Sequence, residues 1–306
     1  MNHSTTSLPI TLIVLMITLG GCAQLQVSND SIDSNQLLIA NLPSYLPGEF
    51  FVYDSGLAMI VTGSSKDTIN WKYSNGAVSS GYQNFLVPQL SWEGDSSKGK
   101  RVTEASQNLL WPLTTGNSAQ FGITQTSTDK ANGFTKETKR KWECSVSGTE
   151  RISVPAGNFD TYRVVCNRYT IDSNNWRGRH TYYFSPDIRH YVRLDKDYAN
   201  RSSKREQIVR YGFNSNYLDE KDQGEAKKIL FQALEKEEQG VSQNWSSSSG
   251  HVSVMLIPYQ RYSNSIGQQC REYKSVFNVG GRVSHHNRKA CRAADGTWQR
   301  TSNQAN

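Results

Sequence analysis

Short stretches of strand-forming residues fill the chain between Phe50 and Phe213 and limit the folds open to it. These stretches are rich in Val, Ile, Thr and aromatic residues, and turn signals such as Asn75-Gly76 separate them. Polar residues alternate with aromatic ones in many of them, as expected when one sheet face meets a core and the other meets water. The pattern predicts a mainly β domain, either an antiparallel sandwich or a half-open barrel.

The length of the chain, 306 residues, exceeds the roughly 100 to 200 residues of one typical domain and predicts two domains. Hydrophobic residues make up 36%, with 7 Trp, 15 Tyr and 10 Phe, which excludes a disordered chain. The larger domain is expected over residues 43–217. Its predicted strands are 50–53, 58–62, 68–73, 139–146, 149–154, 162–169, 180–184, 190–195 and 207–213.

A change of hydrophobic period marks the start of a second domain. Residues 225–238 carry apolar side chains at helical spacing, which predicts an amphipathic helix. A loop is expected over 239–250, followed by strands at 251–257, 269–277 and 297–300. Residues 218–306 are therefore predicted to form a small α+β module.

The N-terminus combines an apolar stretch with a cysteine. The stretch, residues 8–19, is shorter than the about 20 residues that a membrane-spanning helix needs, and it fits the core of a signal peptide. Leu19-Gly20-Gly21-Cys22 follows and resembles the lipobox of bacterial lipoproteins, although the first seven residues contain no Lys or Arg. The resemblance implies cleavage between Gly21 and Cys22.

The lipobox resemblance implies a lipid-anchored protein. Residues 1–21 are then the signal peptide, Cys22 carries the lipid, and residues 22–42 form a polar tether. The alternatives are a signal that is cleaved without lipidation and a short buried helix. Ala23 follows the cysteine where retention in the inner membrane of enteric-type bacteria needs Asp, so the outer membrane is the expected location.

Four further cysteines permit three pairings. Cys144 and Cys166 flank a predicted hairpin of the large domain, whereas Cys270 and Cys291 flank the middle of the small one. We therefore predict the bridges Cys144–Cys166 and Cys270–Cys291, each closing a loop of about 20 residues and adding about 3 kcal/mol. Because the sequence has no Cys-x-x-Cys pair, we predict no metal site.

Positive charge is concentrated at the C-terminal end. Residues 250–306 contain eight Lys and Arg against two Asp and Glu, a net +6, whereas residues 218–240 carry a net −3. We expect either a basic face that contacts an anionic envelope component such as lipopolysaccharide, or a face that the acidic helix screens or solvent hydrates. The candidate residues of this basic face are Arg261, Arg271, Lys274, Arg282, Arg288, Lys289 and Arg292.

Catalytic motifs are absent from the sequence, which has no Gly-x-Ser-x-Gly, no His-Glu-x-x-His and no phosphate loop. His180 and His190 lie in predicted strands and are interpreted as sheet-surface residues. Most of the tryptophans at 71, 92, 111, 142 and 176 are expected in the core. We therefore predict no enzyme and no cofactor, with a hydrolase hidden in the β domain as a third hypothesis.

Phrases near the C-terminus resemble a known family. They are Gln269-Cys270-Arg271-Glu272-Tyr273, Val279-Gly280-Gly281, Ala290-Cys291-Arg292 and Asp295-Gly296-Thr297-Trp298-Gln299. Together with residues 231–235, they make 225–300 similar to the outer-membrane surface antigens typified by the rickettsial seventeen-kilodalton antigen. Such proteins are typically lipoproteins, which agrees with Cys22. Many also carry a glycine zipper, which this chain lacks, so no membrane-inserting role follows.

The large domain more loosely resembles a family of envelope β-domains without established chemistry, through residues 110–113 and 154–162. Within the second phrase, Pro155 and Gly157 are expected to form a hairpin turn, with Phe159 returning to the core.

The expected function is that of a non-catalytic, lipid-anchored outer-membrane lipoprotein with a structural or interaction role. Its partners would be the membrane, through the lipid, and an anionic envelope component or a protein, but no nucleic acid. The alternative is an envelope carrier that binds an acyl chain or a glycan in the β domain.

Overall fold

The computed structural model describes residues 37, 39–106 and 108–301. The predicted signal peptide, the predicted lipidation site Cys22 and most of the predicted tether lie outside these residues. All described residues belong to one compact unit.

Residues 49–213 form a closed barrel of twelve antiparallel strands. Each strand pairs with its neighbours in sequence, and the first strand also pairs with the last, Glu49 lying opposite Phe213. The strands are β1 (Glu49–Tyr53), β2 (Ala58–Ser64), β3 (Ile69–Tyr73), β4 (Val78–Gly81), β5 (Ser91–Glu93), β6 (Ser97–Thr103), β7 (Ser118–Asp129), β8 (Thr135–Val154), β9 (Gly157–Thr170), β10 (Trp176–Ser185), β11 (His190–Tyr198) and β12 (Arg201–Phe213).

The predicted β class is thus confirmed. The sheet forms a closed barrel, whereas the sequence predicted either a sandwich or a half-open barrel. Pairing of β12 with β1 removes both free edges, which is the general benefit of a closed barrel. Two separate strands, 139–146 and 149–154, were predicted where the structure has the single strand β8. That strand instead runs through a bulge between Val146 and Gly148, where an unpaired residue bends it without ending it.

The barrel interior is filled by two clusters of apolar side chains. One surrounds the disulfide between Cys144 and Cys166 and includes Trp142 and Phe184. The other is built on aromatic residues, among them Trp71. Of the five tryptophans expected mostly in the core, only Trp71 and Trp142 are buried, and Trp176 is 40% exposed.

The turn between β8 and β9 has the predicted geometry. Pro155 and Ala156 connect the two strands, Gly157 opens β9 with a φ of 136°, and Phe159 is buried in the second cluster. That φ lies where a side chain is strained, so glycine is the natural residue there. On the same two strands Cys144 lies directly opposite Cys166, with 4.0 Å between their Cα atoms.

The chain leaves the barrel through a short 3₁₀ turn, Ser215–Tyr217, and enters helix α1 (Glu220–Glu235). The helix begins five residues before the predicted start because the Asp219 side chain accepts a hydrogen bond from the Asp222 amide and caps it. In the described part of the chain, no helix has both the length and the hydropathy that a membrane span requires.

A five-stranded antiparallel sheet follows the helix, and α1 packs against it. Its strands are β13 (Gln243–Ser246), β14 (Val252–Ser263), β15 (Gln269–Val279), β16 (Arg282–Arg292) and β17 (Trp298–Arg300). Strand β13 lies inside the predicted loop 239–250, and β16 was not predicted. Cys270 and Cys291 face each other on β15 and β16 and form the second bridge, with 4.0 Å between their Cα atoms.

Candidate interaction sites

The basic residues predicted as one face do not form one face. Arg271 is the clearest departure, because it is only 2% exposed. Its guanidinium donates to the carbonyl oxygens of Ala233 at 2.9 Å, Leu234 at 3.0 Å and Glu237 at 2.7 Å. A helix leaves its last carbonyl groups without partners inside the helix, and a cation is favoured at that end. Arg271 therefore fixes the end of α1 to the sheet.

Arg282 is also buried, and it joins the sheet to the barrel. Its Nη2 atom lies 2.8 Å from Glu49 Oε2 and donates to the Ser44 carbonyl at 2.9 Å. The two charged side chains are 6% and 2% exposed. Burial raises the pKa of Glu49, and the neighbouring Arg282 opposes that rise. The predicted role of Arg271 and Arg282 on an exposed face is therefore wrong, since both cations are used inside the protein.

Two more of the predicted basic residues, Arg292 and Arg261, contact Glu235 at the C-terminal end of helix α1. Arg292 and the Trp298 indole N–H both contact the Glu235 carboxylate, the latter at 3.0 Å. The Arg292 hydrogen bond is the main reason why the pKa of Glu235 lies below its usual value. Arg261 donates to the backbone oxygen of Glu235. Charge neutralisation within the module, one of the two sequence interpretations, thus describes these residues.

The remaining three residues are less buried and have different neighbours. Lys289 forms a 2.8 Å ion pair with Glu272 at the surface, where such pairs contribute little. Arg288 donates to the Ser275 hydroxyl at 3.0 Å and lies over the Phe277 ring. Lys274 is partly exposed and neighbours the buried Ser275 on β15. These residues do not form a continuous basic surface.

Arg288 lines a groove of about 790 Å³ between the barrel and the C-terminal sheet. Phe50 of β1 contributes to one side, and Trp245 and Phe277 of the sheet contribute to the other. His286 lies beside Arg288 in the same groove, and burial lowers its pKa. A groove with apolar walls and cationic lining residues suits an amphiphile that carries an anionic group.

His190 was predicted at the sheet surface, and the structure corrects this: it is 1% exposed in the barrel interior. Its Nδ1 and Nε2 atoms each lie 2.8 Å from a tyrosine hydroxyl, those of Tyr45 and Tyr53. Its ring stacks on Phe51 with centroids 3.8 Å apart. Burial holds the pKa of His190 well below its usual value. With both ring nitrogens engaged, this histidine organises the core.

Within the described ranges, no three His, Cys, Asp or Glu side chains lie close enough to hold a metal ion together.

The burial of Arg271 and Arg282 in the C-terminal sheet was not predicted. The sequence nevertheless contains a pattern that indicates it for Arg271. Arg271 precedes the apolar residue Tyr273 by two positions on one strand, which places both side chains on the same face.

The comparison with family models concerns the end of α1 and the C-terminal sheet. Residues 232–299 match the family model of the 17 kDa outer membrane surface antigen. The match begins in the last turn of α1, spans β13 to β16 and ends within β17. It confirms the family resemblance predicted from residues 225–300.

Curated surface antigens are similar to part of the chain. The chain is 35% identical over 82 residues to the 17 kDa surface antigens of Rickettsia felis and Rickettsia bellii, and 34% identical to that of Rickettsia conorii. Each alignment covers 27% of this chain and 52% of the relative. The chain thus spans about half the length of the curated relatives it matches.

One solved structure is similar over more of the chain. The hypothetical lipoprotein YmcC from Escherichia coli K12 is 10% identical, with 54% of this chain and 85% of that chain covered and a TM-score of 0.39. At this score the likeness carries no weight for fold or function.

Proposed function

We propose that this chain is a non-catalytic lipoprotein of the outer membrane, anchored through a lipid on Cys22, with a structural or interaction role in the envelope. The observation that carries the proposal is the match of residues 232–299 to the surface antigen family. The lipobox-like sequence ending at Cys22 supports it independently, because it lies far from the matched region.

The fold suits a protein that presents the antigen-like sheet on a stable support. The Glu49–Arg282 ion pair links the sheet to β1, and Arg189 of the barrel donates to the Val279 carbonyl at 3.1 Å. An anionic envelope component or a protein is the proposed partner of the exposed surface of this sheet, and the membrane is the partner of the lipid. The proposal includes no nucleic acid.

Lipid anchoring is tested with the variant Cys22→Ser and a matched control, Ser28→Ala, in the tether. In cells fed with labelled palmitate, wild type and the control should carry label and sediment with membranes, whereas Cys22→Ser should do neither. Label or unchanged membrane partitioning in Cys22→Ser would refute the anchor.

The outer-membrane location is tested at the next residue. Ala23→Asp should move the protein to the inner-membrane fraction in an enteric host, and the control Ala23→Ser should leave it in the outer-membrane fraction. Equal fractionation of the two variants would contradict the proposed sorting. Protease treatment of intact cells would then report which side of the membrane the barrel and the sheet occupy.

The groove favours a second candidate function, a carrier for an amphiphile. The predicted carrier site was the β domain, but side chains of the two apolar clusters occupy the barrel interior. The groove beside Arg288 is the better location. Native mass spectrometry of protein purified from its own cells should then detect a bound lipid that Arg288→Gln loses and Lys289→Gln keeps. Protein without bound lipid in all three samples would reject the carrier.

A further inference from the structure

Four arginines line a small cavity at one end of the barrel. Arg140, Arg168, Arg177 and Arg201, which we call the arginine cluster, surround about 250 Å³ together with residues 198–200 of the β11–β12 turn. Arg168 lies opposite Trp142 and two residues after Cys166, both of them buried in the barrel core. Since side chains alternate along a strand, Arg168 points toward the barrel interior, near the end of β9.

The Arg168 guanidinium is held in place by aromatic rings and by a glycine. It lies 5.5 Å from the ring centroids of both Trp142 and Tyr198. On the neighbouring strand, a Cβ atom at Gly178 would come within 2.6 Å of Arg168 Nη2. Gly178 adopts a φ of 150°, which side chains rarely permit. The backbone thus leaves a space that the guanidinium fills.

Arg168 has unused hydrogen-bond donors. Its Nε atom is buried without a partner, and the residues that the structure describes supply no acceptor to the guanidinium. Arg201 lies over the Tyr198 ring, with its guanidinium carbon 3.5 Å from the ring centroid. Buried donors without acceptors are rare in folded proteins and need an explanation.

The cluster also has unbalanced charge. The nearby carboxylates have other partners: Asp197 pairs with Arg179 at 2.7 Å, and Glu206 pairs with Lys196 at 2.8 Å. Among the described residues, no Asp or Glu forms an ion pair with an arginine of the cluster. Burial lowers the pKa of Arg168, and the positive charges of Arg201 and Arg140 lower it further.

We propose that the arginine cluster is a binding site for a doubly charged phosphate group, either inorganic phosphate or a phosphate monoester. Guanidinium groups donate two parallel hydrogen bonds to phosphate oxygens, and a doubly charged anion offsets the repulsion among the four cations. The cavity is smaller than the roughly 300 to 1,000 Å³ of sites for drug-sized ligands, which suits a single anionic group. The group is either free phosphate or the phosphate of a sugar or a lipid headgroup.

The site is tested on the full chain in neutral detergent by titration calorimetry. The probes are inorganic phosphate, glucose phosphate and short-chain phosphatidic acid, each compared with chloride at equal ionic strength. We expect phosphate probes to bind and chloride not to bind. Arg168→Gln should weaken phosphate binding by about tenfold or more, because a hydrogen bond to a charged group is lost.

Matched variants keep the test decisive if Arg168→Gln folds poorly. Arg140→Gln and Arg201→Gln, the second at an exposed position, should each weaken phosphate binding several-fold. Arg163→Gln, on the same strand as Arg168 but hydrogen-bonded to Ser147, should bind phosphate as wild type does. Unchanged affinity in Arg140→Gln and Arg201→Gln would overturn the site, as would phosphate probes that bind no better than chloride.

The three probes separate the sources of the phosphate group. Tighter binding of phosphatidic acid assigns the site to a lipid headgroup, and tighter binding of glucose phosphate assigns it to a phosphorylated sugar. Preference for inorganic phosphate assigns it to the free ion. Each of these results supports the site. None of them depends on Cys22, so the lipid anchor and the phosphate site stand or fall separately.

Discussion

Arginines are concentrated in two regions of the molecule, the C-terminal sheet and the arginine cluster of the barrel. In the sheet, Arg271 donates to carbonyl groups at the end of α1, and Arg282 and Arg292 contact the carboxylates of Glu49 and Glu235. Each of these cations has an acceptor from another element. The buried and half-buried arginines of the sheet are therefore satisfied by acceptors from α1 and from the barrel.

The arginine cluster has the opposite character. Its four residues come from β8, β9, β10 and β12, which are separated in sequence by other residues of both signs. Antiparallel pairing of the successive strands β8 to β12 brings them together at one end, and the nearby carboxylates Asp197 and Glu206 have other cations. Free positive charge thus depends on where acceptors lie in space, and a count of charges along the chain does not locate it.

The strongest test of the neutralised region is Arg282→Met. This change leaves the Glu49 carboxylate buried without its cation, and loss of one partner of a buried pair costs about 3–5 kcal/mol. Chemical unfolding in urea measures the change. The double variant Glu49→Gln with Arg282→Met should recover most of the loss, since no buried charge remains. A single variant as stable as wild type would show that the pair does not hold the sheet to the barrel.

Arg271→Lys should have the second largest effect. A lysine ammonium is a compact point charge and cannot reproduce the fork that contacts two carbonyl groups of α1 and a third just beyond its end. We expect a loss of about 3 kcal/mol in the free energy of unfolding. Arg300→Lys, at an exposed position of the last strand, is the control and should change stability by less than about 0.5 kcal/mol. Equal effects at the two positions would mean that Arg271 behaves as a surface residue.

Much of the fold was predictable from local patterns, and closure of the barrel was not. Strands such as β9, rich in Val and aromatic residues, carry their own signal. Strand β6 (SKGKRVT) does not, because its inward side contributes Gly99 and Arg101 to the barrel. Closure itself requires β1 to pair with β12 across more than half of the chain, and a short-range pattern contains no information about that partner.

The candidate sites also divide into features that the local sequence predicts and features that depend on distant residues. Both disulfides were predictable because each joins adjacent strands of a hairpin. Burial of Arg282 depends on Glu49, 233 residues away, although the register of the second disulfide offered a clue. With Cys270 opposite Cys291, Arg282 falls opposite the buried Val279 and shares its face. The arginine cluster had no local signal, since its members lie on four strands.

His180, which lies near the arginine cluster, should make the stability of the protein depend on pH. Burial, with the charges of Arg168, Lys196 and Arg201, lowers the pKa of His180 to about 3, against about 6.5 in an unfolded chain. The folded state thus binds fewer protons than the unfolded state between these values. Stability should be complete above pH 6.5 and fall as the pH drops, by about 2 kcal/mol at pH 5.

The difference between wild type and His180→Gln isolates this contribution from those of other titrating groups. Unfolding in urea at pH 7 and pH 5 should show a smaller acid loss in His180→Gln than in wild type. His251→Gln, an exposed histidine of the C-terminal part, is the control and should lose as much as wild type. An identical acid loss in all three proteins would mean that the pKa of His180 is not lowered in the folded state.

Arg140→Gln provides the smallest and most discriminating effect, because its sign should be opposite to that of the sheet variants. Without a bound anion, Arg140 repels the half-buried guanidinium of Arg168. Its removal should therefore raise the free energy of unfolding by about 0.5 kcal/mol at low salt. The gain should vanish in about 1 M salt, where screening acts within about 3 Å.

Arg151→Gln, which instead breaks the surface ion pair with Asp160, should give no gain at either salt concentration. If Arg140→Gln destabilises the protein at low salt, the cluster already has the acceptors that the sheet supplies to its own arginines, and the contrast between the two regions is lost.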